Sequence, residues 1–143
     1  MTDGITLTHA VICDIDGTLA DNTHRNPYDY DLVHLDTPIE PIVKLAQILG
    51  EHFELLFVTG RPASCYSATS QWLIDTLGFA YPPQLFMRAI GDNRPDAVVK
   101  QEVFEDVISK SFTVDYVIED RNRVVAMWRS LGLLVLHVTD FPF

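Results

Sequence analysis

The sequence predicts an α/β domain in which a three-layer, Rossmann-like parallel sheet carries helices on both faces. Three observations carry that expectation. Strand-like runs recur with amphipathic segments between them, and the strands are apolar throughout rather than alternating. A length of 143 residues at 48% hydrophobic suits one domain, 1–143, with a real core.

The first strand is read at about 9–13 (His-Ala-Val-Ile-Cys). The first helix follows at about 38–52, opened by Pro38 and striped by Ile42, Leu45, Ile48 and Leu49. The second strand, about 54–58, leads to a helix at about 63–77 bounded by Pro62 and Gly78. A third strand at about 84–87 precedes a helix at about 95–110 with Val103, Phe104, Val107 and Ile108 on one face. The fourth strand at about 114–118, a helix at about 121–131 and a fifth strand at about 133–138 complete the pattern. No repeat, low-complexity tract or linker interrupts it.

Composition excludes several classes. The longest nearly unbroken apolar run, Leu131 to Leu136, is far too short to span a bilayer. The first residues carry no basic stretch followed by an apolar one, so neither membrane attachment nor secretion is expected. Cys13 and Cys65 read as two reduced thiols in a cytoplasmic protein. The formal charge of −10 argues against broad coating of nucleic acid, though a few well-placed cations can still grip a single phosphate end. His9, His24, His34, His52 and His137 show no metal-ligand spacing, and Trp72 and Trp128 read as core. Tyr28 and Tyr30 are better placed to meet a base.

The chemistry concentrates at Asp14-Ile15-Asp16-Gly17-Thr18, where the first strand leaves the sheet. Acids two apart on a strand share a face, and a pair unpartnered at a strand end is costly unless a cation joins it. Gly17 permits a sharp turn and Thr18 offers a hydroxyl. In a parallel sheet, ligands bind beyond the carboxyl ends of the strands. The segments after strands one, two and four begin with Asp14, Thr59 and Glu119, so the motifs converge on one edge. Thr59-Gly60-Arg61 could face an anion at the start of the next helix. Lys100 stands early in the third helix, and Glu119-Asp120 closes the fourth strand.

In that order, Asp14/Asp16, Thr59, Lys100 and Glu119/Asp120 resemble the four motifs of haloacid dehalogenase-like phosphatases. The resemblance implies Asp14 as a nucleophile that forms an aspartyl-phosphate and Asp16 as the acid and base for leaving group and water. It implies Mg²⁺ held by Asp14, the Asp16 carbonyl, Asp120 and, more remotely, Glu119. Lys100 and Thr59 would neutralise and hold phosphoryl oxygens, with Thr18 and Gly60 beside them. Some members carry a cap domain; the intervals after Thr18 and between Arg61 and Lys100 leave no room for one.

Further residues resemble the 3′-phosphatase domain of phage polynucleotide kinase/phosphatase: Arg25-Asn26-Pro27-Tyr28-Asp29, Arg94 through Lys100 with Asp96 four before the lysine, and Val117 through Arg129. That likeness implies removal of a 3′-phosphate, or a 2′,3′-cyclic phosphate, from DNA or RNA ends. It implies that Arg25 and Arg61 bind substrate phosphate and that Asp96 orients a cation. Glu119 departs from the usual aspartate. No Gly-x-x-x-x-Gly-Lys-Ser/Thr loop is present, so any kinase or ligase partner is expected as a separate protein. Homo-oligomerisation stays open. The rival expectations are a phosphatase of nucleotides or other small phosphomonoesters, and a non-catalytic acidic binding module.

Overall fold

The structure is a computed structural model that describes residues 6–139. Five parallel strands form one sheet in the order β5-β4-β1-β6-β7, where β1 is Thr8–Cys13, β4 Glu54–Pro62, β5 Gln84–Arg88, β6 Phe112–Glu119 and β7 Val135–His137. Central β1 is buried on both faces, and its side chains alternate between them. Val11 and Cys13 join Leu55, Phe57, Trp72 and Leu73 on one side. Ala10 and Ile12 join Leu56, Val58, Val124 and Trp128 on the other. Each such aliphatic side chain contributes about 1.5–3 kcal/mol on full burial.

Helices α1 (Glu40–Gly50) and α2 (Tyr66–Leu77) cover the first face. Helix α3 (Asp96–Val103) runs through a π-helical turn, Phe104–Ile108, into α4 (Ser109–Ser111), and α5 (Asn122–Ser130) packs beside it on the second face. All five expected strands and the four expected helical segments are therefore present. Two boundaries moved for physical reasons. The first helix opens at Glu40 with Pro41 in its first turn. Pro38 instead lies in β3 (Thr37–Pro38), paired antiparallel with β2 (Ala20–Asp21), and Ile39 N–H donates to the Leu19 carbonyl at 2.7 Å. The second strand runs on to Pro62, so Thr59, Gly60 and Arg61 extend it rather than follow it.

The segment between β2 and β3 folds into a 3₁₀ turn, Tyr30–Leu35, that packs against α2. Among the described residues no segment forms a cap over the carboxyl ends of the strands, and no helix is long and apolar enough to cross a membrane. Cys13 and Cys65 are buried free thiols.

Candidate active site

Asp14 continues the ladder of β1, its N–H donating to the Ile118 carbonyl at 3.0 Å. The chain then turns tightly: Leu19 and Ala20 N–H groups both reach back to the Ile15 carbonyl, and Gly17 sits at φ +78°. A Cβ on Gly17 would lie 2.2 Å from Asp120 Oδ2, so glycine is required both for the left-handed backbone and for the approach of Asp120.

This turn brings three carboxylates together. One oxygen each from Asp14, Glu119 and Asp120 lies within 4.8 Å of the others, and all three residues are buried. Lys100, 2% exposed, donates from Nζ to Asp14 Oδ1 at 2.8 Å and Glu119 Oε2 at 3.0 Å. The Thr18 hydroxyl lies 3.1 Å from both Asp14 Oδ2 and Asp120 Oδ1. Asp120 does not cap α5, whose first turn receives no side-chain cap.

One ammonium serves three acids, and their electrostatics divide accordingly. Burial works against ionising Asp14, but Lys100 and the hydrogen bonds prevail and lower its pKa to about 2. Burial also works against the Lys100 ammonium, yet the charges of Asp14 and Glu119 hold it well above its ordinary range. Glu119 is pushed upward by burial and then by the Asp14 charge, and the same causes raise Asp120 to about 7. Like charges at this spacing repel by about 3 kcal/mol at an effective dielectric near 20. Three carboxylates against one ammonium leave two uncompensated negative charges, which is what a hard divalent cation with oxygen ligands would balance. The donor set therefore fits Mg²⁺. The Asp16 carboxylate stands outside this cluster.

Asp16 instead faces Arg61, which donates from Nη2 and Nε to its two oxygens. Arg61 is 1% exposed and also binds Asp36 Oδ2 at 2.8 Å and the Thr69 hydroxyl at 3.1 Å. Arg25 is buried as well, its guanidinium held by Asp36 at 2.8 and 3.0 Å and by the carbonyls of Asn26, Pro27 and Asp29. Its side chain has no exposed surface and lies behind the cleft rather than lining it, with Nη2 3.5 Å from Asp16 Oδ1. Sequence reasoning missed Asp36, whose fully buried carboxylate joins the two arginines. Its backbone carbonyl accepts the Trp72 indole N–H at 2.8 Å.

Thr59 is buried, and its hydroxyl accepts the Arg61 N–H at 3.2 Å. Asp96 bridges Arg88 and Arg121, the latter at 2.9 Å, and packs so closely on Gly60 that a Cβ there would lie 2.5 Å from Asp96 Oδ1. Arg88 and Arg121 were not foreseen, although Arg88 ends β5 and Arg121 follows β6 at the edge where ligands gather. Asp14, Asp16, Gly60, Arg61, Asp96, Lys100, Glu119 and Asp120 all line one open cleft of about 760 Å³. Thr18, Thr59 and Arg25 support it from behind.

The sequence model of the polynucleotide kinase PNKP phosphatase domain matches residues 8–143. A relative named as a putative bifunctional polynucleotide kinase/RNA ligase, from Autographa californica nuclear polyhedrosis virus, is 31% identical over 87% of this chain but only 18% of its own length. A chain in the structure of the Pnkp1/Rnl/Hen1 RNA repair complex is 30% identical with a TM-score of 0.88, over 96% of this chain and 44% of that one. The chain thus spans less than half the length of these relatives. A class C acid phosphatase from Bacillus anthracis shares the fold at 12% identity, with a TM-score of 0.61 over 99% of this chain and 70% of that one. With nearly every described residue inside the matched region and the carboxylate site assembled as above, the chain belongs to the PNKP phosphatase domain family of haloacid dehalogenase-like phosphatases.

Proposed function

We propose that this chain is an Mg²⁺-dependent polynucleotide 3′-phosphatase acting through an aspartyl-phosphate on Asp14. The observation that carries this reading is the environment of Asp14. Lys100 and Thr18 hold its carboxylate ionised at the floor of an uncapped cleft, wide enough to admit a polymer end.

In the first step an Asp14 oxygen attacks phosphorus while the bond to the 3′ oxygen breaks, and Asp16 gives that oxygen a proton. In the second, water attacks phosphorus, Asp16 takes the water's proton, and Asp14 leaves as a carboxylate. Lys100 faces the developing charge as a fixed cation. Asp14, Asp120, the Asp16 carbonyl and, more remotely, Glu119 would hold Mg²⁺, which supplies charge neutralisation on the phosphoryl oxygens. Arg61 can grip phosphate once Asp16 releases it. Arg25 and Asp36 act through Arg61 and the loop rather than on substrate. Asp96 orients Arg88 and Arg121 at the rim.

The relatives' RNA ligase and RNA repair names favour RNA ends over DNA, and a 2′,3′-cyclic phosphate would be a second substrate. Their greater length favours a kinase or ligase partner, whether separate or joined. Residues 1–143 form the phosphatase unit, and the two free thiols suit a cytoplasmic setting.

The test is phosphate release from single-stranded oligonucleotides carrying a 3′- or a 5′-phosphate, in Mg²⁺ and in EDTA. Mg²⁺-dependent release from the 3′ end alone supports the reading. Release from an aryl phosphate but neither oligonucleotide leaves a small-molecule phosphatase instead.

A further inference from the structure

The cleft concentrates positive charge in an acidic chain. Six of the ten Lys and Arg residues line it (Arg61, Arg88, Arg94, Lys100, Arg121 and Arg123), matched by six carboxylates, so the cleft is formally neutral while the chain carries −10. Five of these cations pair with protein carboxylates: Arg61 with Asp16 and Asp36, Arg88 and Arg121 with Asp96, Arg94 with Asp92 and Glu102, and Lys100 with Asp14 and Glu119. Arg123 is exposed and pairs with no group among the described residues. It stands in the first turn of α5, where the helix dipole disfavours a cation, so helix stability does not account for it.

Tyr28 lines the same cleft, two residues before the 3₁₀ turn that packs against α2. It is 80% exposed, yet its backbone is anchored. Its N–H donates to Asn26 Oδ1 at 2.9 Å, and the neighbouring carbonyls of Asn26, Pro27 and Asp29 are gripped by the buried Arg25. A large aromatic ring held open to solvent on an anchored loop beside the cleft offers a face on which a base can stack. At about 760 Å³ the cleft also exceeds what a phosphoryl group fills.

We infer that Arg123 and Tyr28 form an upstream subsite for a single-stranded polynucleotide: Arg123 contacts the phosphodiester next to the 3′-terminal nucleoside, and Tyr28 stacks on a base upstream of that nucleoside. This rests on the polynucleotide reading above. It explains how an acidic chain holds a polyanion: among the described residues of the cleft, one cation without a carboxylate partner and one aromatic face do the work of a basic surface.

The experiment compares kcat/KM for a 3′-phosphorylated oligonucleotide and for a 3′-nucleotide, which lacks the upstream phosphodiester, over a range of salt. In Arg123→Gln and in Tyr28→Ala the oligonucleotide-to-nucleotide ratio falls about tenfold. Arg123→Gln also flattens the log–log salt dependence by about 0.7, the contribution of one phosphate contact on a single strand, and Tyr28→Ala does not. Tyr28→Phe restores the ratio, because stacking needs only the ring. Unchanged ratios in both variants, with a wild type that prefers the oligonucleotide, overturn the subsite alone. So does an equal loss on both substrates. A wild type that turns over the 3′-nucleotide as well as the oligonucleotide overturns the polynucleotide reading and the subsite with it.

Discussion

Arg61 grips both carboxylate oxygens of Asp16, from Nη2 at 2.7 Å and from Nε at 3.0 Å. The same guanidinium also binds Asp36 and Thr69, so a substrate phosphate that takes up the two donors facing Asp16 must displace it. Phosphate binding and release of the acid are thereby one event. Asp16→Asn should lower turnover of a 3′-phosphorylated oligonucleotide by about 10²- to 10⁴-fold, the usual worth of a positioned acid. An aryl phosphate, whose leaving group needs no proton, should lose far less. Equal losses on the two substrates would remove Asp16 from the acid role.

Asp36 is the shared anion of two buried arginines. Asp36→Ala leaves Arg25 and Arg61 with the half-buried Asp16 as their one remaining carboxylate among the described residues, and removing one partner of a buried pair costs about 3–5 kcal/mol. The melting temperature should fall by roughly 10 °C. Activity should fall with it, even below the melting transition, since Asp16 and the Tyr28 loop both hang on these arginines. A fully stable Asp36→Ala protein would contradict this view of the network.

Gly17 leaves no room for a methyl group. Gly17→Ala puts a Cβ against Asp120 in a backbone region that disfavours side chains, so Asp120 must move away from Asp14. The expected result is a folded protein that Mg²⁺ no longer stabilises, read by melting with and without the ion. Unaltered Mg²⁺ stabilisation would place the metal elsewhere.

Without metal the carboxylate cluster should make stability depend on pH with an unusual sign. Burial and the charge of Asp14 raise Asp120 from 3.8 to about 7, and Glu119 moves the same way. A carboxyl that binds its proton more tightly when folded adds stability that is complete below its unfolded pKa and lost as pH rises through the folded one. Asp14, lowered to about 2, acts oppositely, but its contribution is lost only below its unfolded value of 3.8. In EDTA the melting temperature should therefore fall as pH rises from about 5 to 8. Saturating Mg²⁺ should abolish or reverse the trend, because it binds the ionised form. A flat profile in EDTA would mean the three acids are not in conflict.

Apolar strand runs and Pro and Gly boundaries made the layered sheet legible, because each is a local signal. Asp14, Lys100 and Asp120 were legible for a related reason: each lies at or near a strand end or helix start whose position the pattern fixes. The β2–β3 pairing was not legible, since two-residue strands leave no periodicity. Asp36 was hidden because its role is long-range: it precedes a short strand in sequence and acquires meaning only when Arg61, 25 residues away, folds onto it. Arg25 was legible as a site residue, but its surroundings were not: Nη1 meets the carbonyls of Asn26, Pro27 and Asp29, and Nε and Nη2 meet Asp36 and Asp16, partners that only the folded loop supplies.

Rapid acid quench with an oligonucleotide labelled in its 3′-phosphate would show whether Asp14 carries the phosphoryl group. A hydroxylamine-sensitive label is expected on the tryptic peptide that ends at Arg25, formed during turnover and absent, with activity, from Asp14→Asn. Phosphate release by Asp14→Asn at the wild-type rate, with no label on that peptide in either protein, would contradict it.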